Sequence, residues 1–132
     1  MSLGLLPRRG RSGRSADTLD GCAAWADVDF KQVEEREARK RIEALGERQP
    51  SVIVNSGHGL HLYWVLTSPA PPSMITSLCR RLGRLVGADA CHDAARVLRL
   101  PGSLNLKECW NGSLYSFDAR KARPCRVESF NE

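Results

Sequence analysis

The 132-residue sequence predicts an α+β domain of the ferredoxin-like type, an antiparallel sheet with helices on one face. Two observations carry that expectation. Apolar periodicity switches between a two-residue and a 3.6-residue repeat in the order strand, helix, strand, strand, helix, strand. Pro and Gly clusters punctuate those switches where a chain must turn.

The first strand is expected over Ala23–Phe30, where alternation sets Trp25, Asp27 and Asp29 on one face and Ala26, Val28 and Phe30 on the other. Helix one follows over Lys31–Leu45, with a thin apolar stripe of Val33, Ala38, Ile42 and Leu45; Gly46 and Pro50 end it. The β-branched run Ser51–Asn55 is strand two, Ser56-Gly57-His58-Gly59 a turn, and Leu60–Leu66 strand three, which together form a hairpin. Thr67–Ser73 carries three prolines and reads as a connector. Helix two is expected over Met74–Val86, with Ile75, Leu78, Cys79, Leu82, Leu85 and Val86 at helical spacing. A short helix over Asp89–Ala95, a strand over Ser113–Phe117 and an edge piece over Cys125–Phe130 complete the reading. Residues 1–20 form a basic Gly/Arg/Ser-rich lead-in, expected as loop or extended arm, and residues 21–132 form the domain proper.

Composition narrows the function classes. No apolar run approaches the ~20 residues of a membrane span, and the start is not a signal peptide. Five cysteines, an odd number with no C-x-x-C, support neither a zinc ribbon nor a disulfide framework. Buried or incidental thiols in a reducing cytoplasm fit better, with a zinc site at Cys91-His92 and Cys109 as the alternative. The net charge of +5 favours a polyanionic partner. The cations are clustered: Arg8 to Arg14, then Arg80, Arg81 and Arg84, then Arg96 to Lys107, then Arg120 to Arg126.

Three segments carry candidate chemistry. Asp27-Val28-Asp29 ends the first strand, either as two solvated acids or as hard-oxygen ligands for Mg²⁺ or Mn²⁺, which would cancel their mutual repulsion. If the apolar set Leu60, Leu62, Trp64 and Leu66 faces the helices, His61, Tyr63 and Val65 share the acids' side of a sheet face left open. The turn Ser56-Gly57-His58-Gly59 reads as a plain hairpin turn or as a backbone cradle for phosphate, with His58 a turn residue. Asp93 to Lys107 supplies one acid and three cations: Asp93 completes a metal site or pairs with Arg96 on the surface, while Arg99 and Lys107 suit phosphate oxygens.

These segments together resemble the primase–polymerase branch of the archaeo-eukaryotic primase superfamily, found in phage and plasmid replication proteins. Trp25-Ala26-Asp27-Val28-Asp29-Phe30 is similar to that family's first acidic motif, Ser56 to Trp64 to its S-G-x-G-x-H motif, and Asp93 to Lys107 to its acid followed by R-x-L-R-x-P-G-[ST]-x-N-x-K. The resemblance implies an RRM-like catalytic palm and template-directed nucleotidyl transfer with Mg²⁺ or Mn²⁺. It implies metal ligation by Asp27, Asp29 and Asp93. It also implies nucleotide contacts from His61, Ser56, Gly57, Gly59, Arg99 and Lys107, and more weakly from Arg96. The implied partners are a single-stranded DNA template, nucleoside triphosphates and a replicative helicase domain in a parent protein. Only about 22 residues precede the first motif, fewer than the family's usual segment, so a minimal or truncated domain is expected, without a helicase motor. Two other readings remain: a non-catalytic nucleic-acid-binding module on the same fold, and a rolling-circle-type nicking endonuclease. The latter usually pairs two histidines one residue apart on a strand, unlike His58 and His61.

Overall fold

The computed structural model describes residues 2–11, 13–90, 92–110 and 117–131. Its elements run β1 (Ser2–Gly4), β2 (Gly21–Asp29), α1 (Glu35–Glu43), β3 (Val52–Asn55), β4 (Gly59–Ala70), α2 (Pro72–Val86), β5 (Val97–Arg99), β6 (Leu104–Asn105), β7 (Arg123–Pro124) and β8 (Arg126–Phe130). The fold is the expected α+β arrangement, a four-stranded antiparallel sheet in the order β2-β4-β3-β8 accompanied by α1 and α2. Two short ribbons, β1 with β5 and β6 with β7, are added to it. Among the described residues no helix is long and apolar enough to cross a membrane.

The core forms where the two periodicities meet. Ala24, Ala26 and Val28 of β2 lie opposite Trp64, Leu62 and Leu60 of β4, and all six are buried. From α2, Ile75, Cys79, Leu82 and Val86 join them at four-, three- and four-residue spacing; Ala38 and Ile42 do so from α1. Burying each large aliphatic side chain contributes about 1.5–3 kcal/mol. Leu85, counted in the apolar stripe of helix two, is instead 52% exposed on its outer face.

Several boundaries move, each for a physical reason. Helix one starts at Glu35, because Asp29 first builds a turn: its carbonyl accepts from the N–H groups of Gln32 and Val33, and its side chain from Lys31 N–H. Strand three continues to Ala70 through Pro69. β3 pairs with β4 only as far as Tyr63, so on that side the strand beyond it has no ladder for a proline to interrupt. Helix two begins at Pro72, a residue pre-set for the first turn, and ends at Gly87 with φ 73°. No helix forms over the described residues between Asp89 and Ala95; instead Asp89 N–H donates to the Asp27 carbonyl at 3.0 Å. The strand expected over Ser113–Phe117 falls largely outside the described residues, and Phe117 forms an isolated bridge with Trp110.

The lead-in is a built part of the fold rather than a loose arm. β1 pairs with β5, Leu6 is buried in the core, and the Arg8 guanidinium donates to the Ala95 carbonyl at 2.7 Å. The sheet face carrying Asp27 is consequently not open along its length. Trp25 shares that face yet has no exposed surface, and Leu6 and Leu98 belong to the same buried cluster. Tyr63, opposite Trp25, stays half-buried.

Arg39 of α1 donates to Glu35 one turn earlier and to Glu128 of β8, and Glu128 also accepts from Asn55 of β3. These bonds hold the Glu128 carboxyl below its ordinary value of 4.5. A lowered carboxylate contributes its stability above its unfolded value and loses it as pH falls through the folded one. Solvent screening keeps that contribution within about 1 kcal/mol. Glu128→Gln is expected to lower the melting temperature at pH 7, and the gap from the parent chain should close as pH drops below 4.5. Thermal melts of both proteins across that range check it; a gap independent of pH would contradict the assignment.

Candidate functional site

The β2–β4 register sets Asp27 directly opposite His61, Trp25 opposite Tyr63 and Asp29 opposite Gly59. Directly opposed residues share a sheet face, so the expected co-facing of His61 and the acids is realised. Asp27, Asp29, Ser56, Gly59, His61, Arg99 and Lys107, with His58 and Asn105, line a small cavity of about 50 Å³. Gly57 borders the neighbouring groove. Asp93 lines neither: it is exposed and lies across Arg96 from Asp27, Arg96 standing 3.9 Å from each carboxylate.

The titratable groups are driven apart. His61 is 2% exposed, and burial, then the charges of Arg99 and Arg96, push its pKa down to about 4. It is therefore neutral at pH 7. Its Nε2 lies 3.7 Å from Asp27 Oδ1, beyond hydrogen-bond reach, and its buried Nδ1 has no hydrogen-bond partner among the described residues. Burial also raises the Asp27 carboxyl; Arg96 opposes that, while Asp89 and Asp29 add to it. Asp29 moves the other way, lowered first by the Lys31 N–H and then by Lys107, whose Nζ is 3.4 Å from Oδ2.

Asp27 and Asp29 fit a hard divalent cation. Two carboxylates border one small polar cavity, and the burial and repulsion that raise Asp27 are what a cation relieves. Mg²⁺ commonly takes one or two carboxylates and completes its shell with water and substrate phosphates. Among the described residues no group of three or more His, Cys, Asp or Glu is spaced to hold a metal ion. Such an ion would thus depend on its substrate for ligands. Cys91 lies outside the described residues.

The turn between β3 and β4 is held from several sides. Ser56 N–H and Oγ both reach the Gly59 carbonyl, at 2.9 and 3.1 Å, and Gly57 N–H donates to Asn55 Oδ1. Its glycines are required by the chain's own packing. Gly57 has φ 87°, and a Cβ there would overlap Arg123; a Cβ at Gly59 would overlap the Val28 carbonyl oxygen.

Asn105 is the positioning residue that motif reading passed over. Fully buried, it donates from Nδ2 to the Ser56 carbonyl at 2.8 Å and accepts at Oδ1 from Lys107 N–H at 3.0 Å. It ties the turn to the backbone at Lys107, two residues beyond β6. Its only sequence signal is the N-x-K spacing inside the third segment. Glu108 is a second addition, 3.5 Å from Lys31 Nζ and 3.7 Å from His58 Nδ1.

No protein-family model matches the chain, and no curated protein matches its sequence. Among solved structures it is similar to the AEP domain of the primase-polymerase of cyanophage S-2L, with a TM-score of 0.67 and 22% sequence identity. The match covers 96% of this chain and 60% of that one, so the chain shares that domain's fold and spans about three fifths of its length.

Gly59→Ala is expected to destabilise the protein by about 1–3 kcal/mol, because the methyl must displace β2 from β4 at the Asp29 pair. Urea unfolding measures it; a loss no larger than that of an exposed surface substitution would show that the strands tolerate the added atom.

Proposed function

We propose that this chain is the palm of a primase–polymerase-type nucleotidyltransferase, adding nucleotides to a strand on a single-stranded DNA template. One observation carries the reading. Two carboxylates and a neutral histidine meet on one sheet face, ringed by Arg99, Lys107 and the Ser56–Gly59 turn. The fold shared with a primase-polymerase domain supports it. A helicase partner and a phage or plasmid setting belong to the same proposal.

Asp27 and Asp29 would hold Mg²⁺ or Mn²⁺. When bound, such an ion neutralises phosphate oxygens and acidifies an attacking hydroxyl. The chain's own residues do the rest. His61, neutral at pH 7, presents an imidazole N–H donor and adds no charge to the cavity. Arg99 and Lys107 supply positive charge for a triphosphate, Arg99 as a bidentate fork. Ser56, Gly57 and Gly59 shape the wall against which the nucleotide sits. Asp93 is assigned to hold Arg96, which would retract from Asp27 when a cation takes its place. His58 also borders a larger groove of about 700 Å³ with Arg123 and Arg126, room for the remainder of a nucleotide or a strand. Positioning plus fixed charge is what phosphoryl transfer chiefly requires.

A second reading, nucleic-acid binding without catalysis, draws support from one feature: Arg96 and Lys107 already stand 3.9 and 3.4 Å from the acids that a metal would occupy. Mn²⁺ calorimetry separates the two. The polymerase reading expects saturable binding that weakens at least ~10-fold, about 1.4 kcal/mol, in Asp27→Asn and in Asp29→Asn but not in Asp118→Asn. It also expects template-directed extension with Mn²⁺ that Asp27→Asn abolishes. Mn²⁺ binding indifferent to both cavity acids would sink the catalytic reading and leave the binding module.

A further inference from the structure

A cavity outside the Asp27 site has chemistry of its own. It lies beside the second half of α2 and the segment that follows it, has a volume of about 320 Å³, and is floored by Ala26 and Gly83. Arg80 and Arg84, one helical turn apart, line it together with Asp89 and His92. Both arginines are exposed, and among the described residues neither forms an ion pair, with Asp89 or with any other acid.

Gly83 adds a second, independent observation. A glycine inside a helix costs up to about 1 kcal/mol relative to alanine. Packing does not require it here: an added Cβ would meet only the Ala88 Cβ at 3.6 Å, an ordinary contact. What the missing side chain does provide is part of the cavity's volume.

We propose that this cavity binds a phosphate group, free or carried on a nucleic-acid strand. Two guanidinium groups at i,i+4, without an ion pair among the described residues, match phosphate geometry, and the volume suits a small ligand. Asp89 sets the limit: its carboxylate disfavours an anion placed against it, so the phosphate sits toward the helix. Ala88 N–H donates to Gly83 O and Asp89 N–H to Asp27 O, so the wall of this cavity is tied to the strand bearing the first acids. The site stands independently of any reading of those acids.

Amide NMR of the whole chain, titrated with inorganic phosphate and separately with a single-stranded oligonucleotide, tests it. Phosphate is expected to shift the Gly83, Ala88 and Asp89 amides, and Arg80→Ala/Arg84→Ala to abolish the shift, whereas Arg81→Ala, the loss of an arginine on the same helix outside the cavity, preserves it. If the strand is the source, the double variant binds the oligonucleotide several-fold more weakly, with a salt slope shallower by about 1.4. Phosphate shifts without that weakening identify the free anion as the source. Shifts absent with both ligands, or lost equally in Arg81→Ala, overturn the proposal.

Discussion

Slide β2 by one residue along β4, and Asp27 turns into the apolar core while Ala26 turns out to the cavity. The site exists only in the register that sets Asp27 opposite His61. What holds that register is apolar burial on the far face, where three β2 side chains meet three from β4 with almost no exposed surface. Gly59 sharpens it: only a residue without a side chain can sit against the Val28 carbonyl, so β4 has one place to begin. The chemistry on one face is thus specified by packing on the other.

The same burial sets the electrostatics. His61 is desolvated and flanked by two arginines, which removes its charge; Asp27 is desolvated and flanked by two acids, which raises it. Asp29, two residues on, reaches the strand end, where backbone and Lys107 N–H donors stabilise its charged form. Neighbouring carboxylates on one strand therefore differ because one lies inside the sheet and the other at its lip. Asp29 also starts the turn into α1, so its position is demanded by the fold as much as by any ligand.

Much of this was legible in the residues. Two-residue alternation identified the face shared by Asp27, Asp29 and His61, and helical spacing identified the buried row of α2, because both patterns report burial directly. Asn105 carried no such signal: a lone neutral polar residue on a two-residue strand has no period to read, and it bonds to Ser56, 49 positions away. The lead-in misled for a related reason. Its arginines and glycines read as solvated chain, while the β1–β5 ribbon that ties it down joins residues more than 90 positions apart and Leu6 is buried in the core. For Asp93, sequence order set it near the motif's cations without saying that Arg96 would stand 3.9 Å from both it and Asp27.

The helix expected over Asp89–Ala95 failed on a constraint that local propensity does not contain. Among the described residues no strand pairs with the outer edge of β2, whose buried backbone groups still need partners. Cys79 of α2 takes the Trp25 N–H at 3.2 Å, and Asp89 N–H supplies the Asp27 carbonyl at 3.0 Å. A helix beginning at Asp89 would leave its first N–H groups unbonded within the helix as well, but their direction would follow the helix axis rather than the strand edge. Gly87, left-handed at φ 73°, turns the chain so that Asp89 meets β2 instead. The irregular segment after α2 is the means by which a two-sided need, closing the helix and sealing the strand that carries Asp27, is met by three residues.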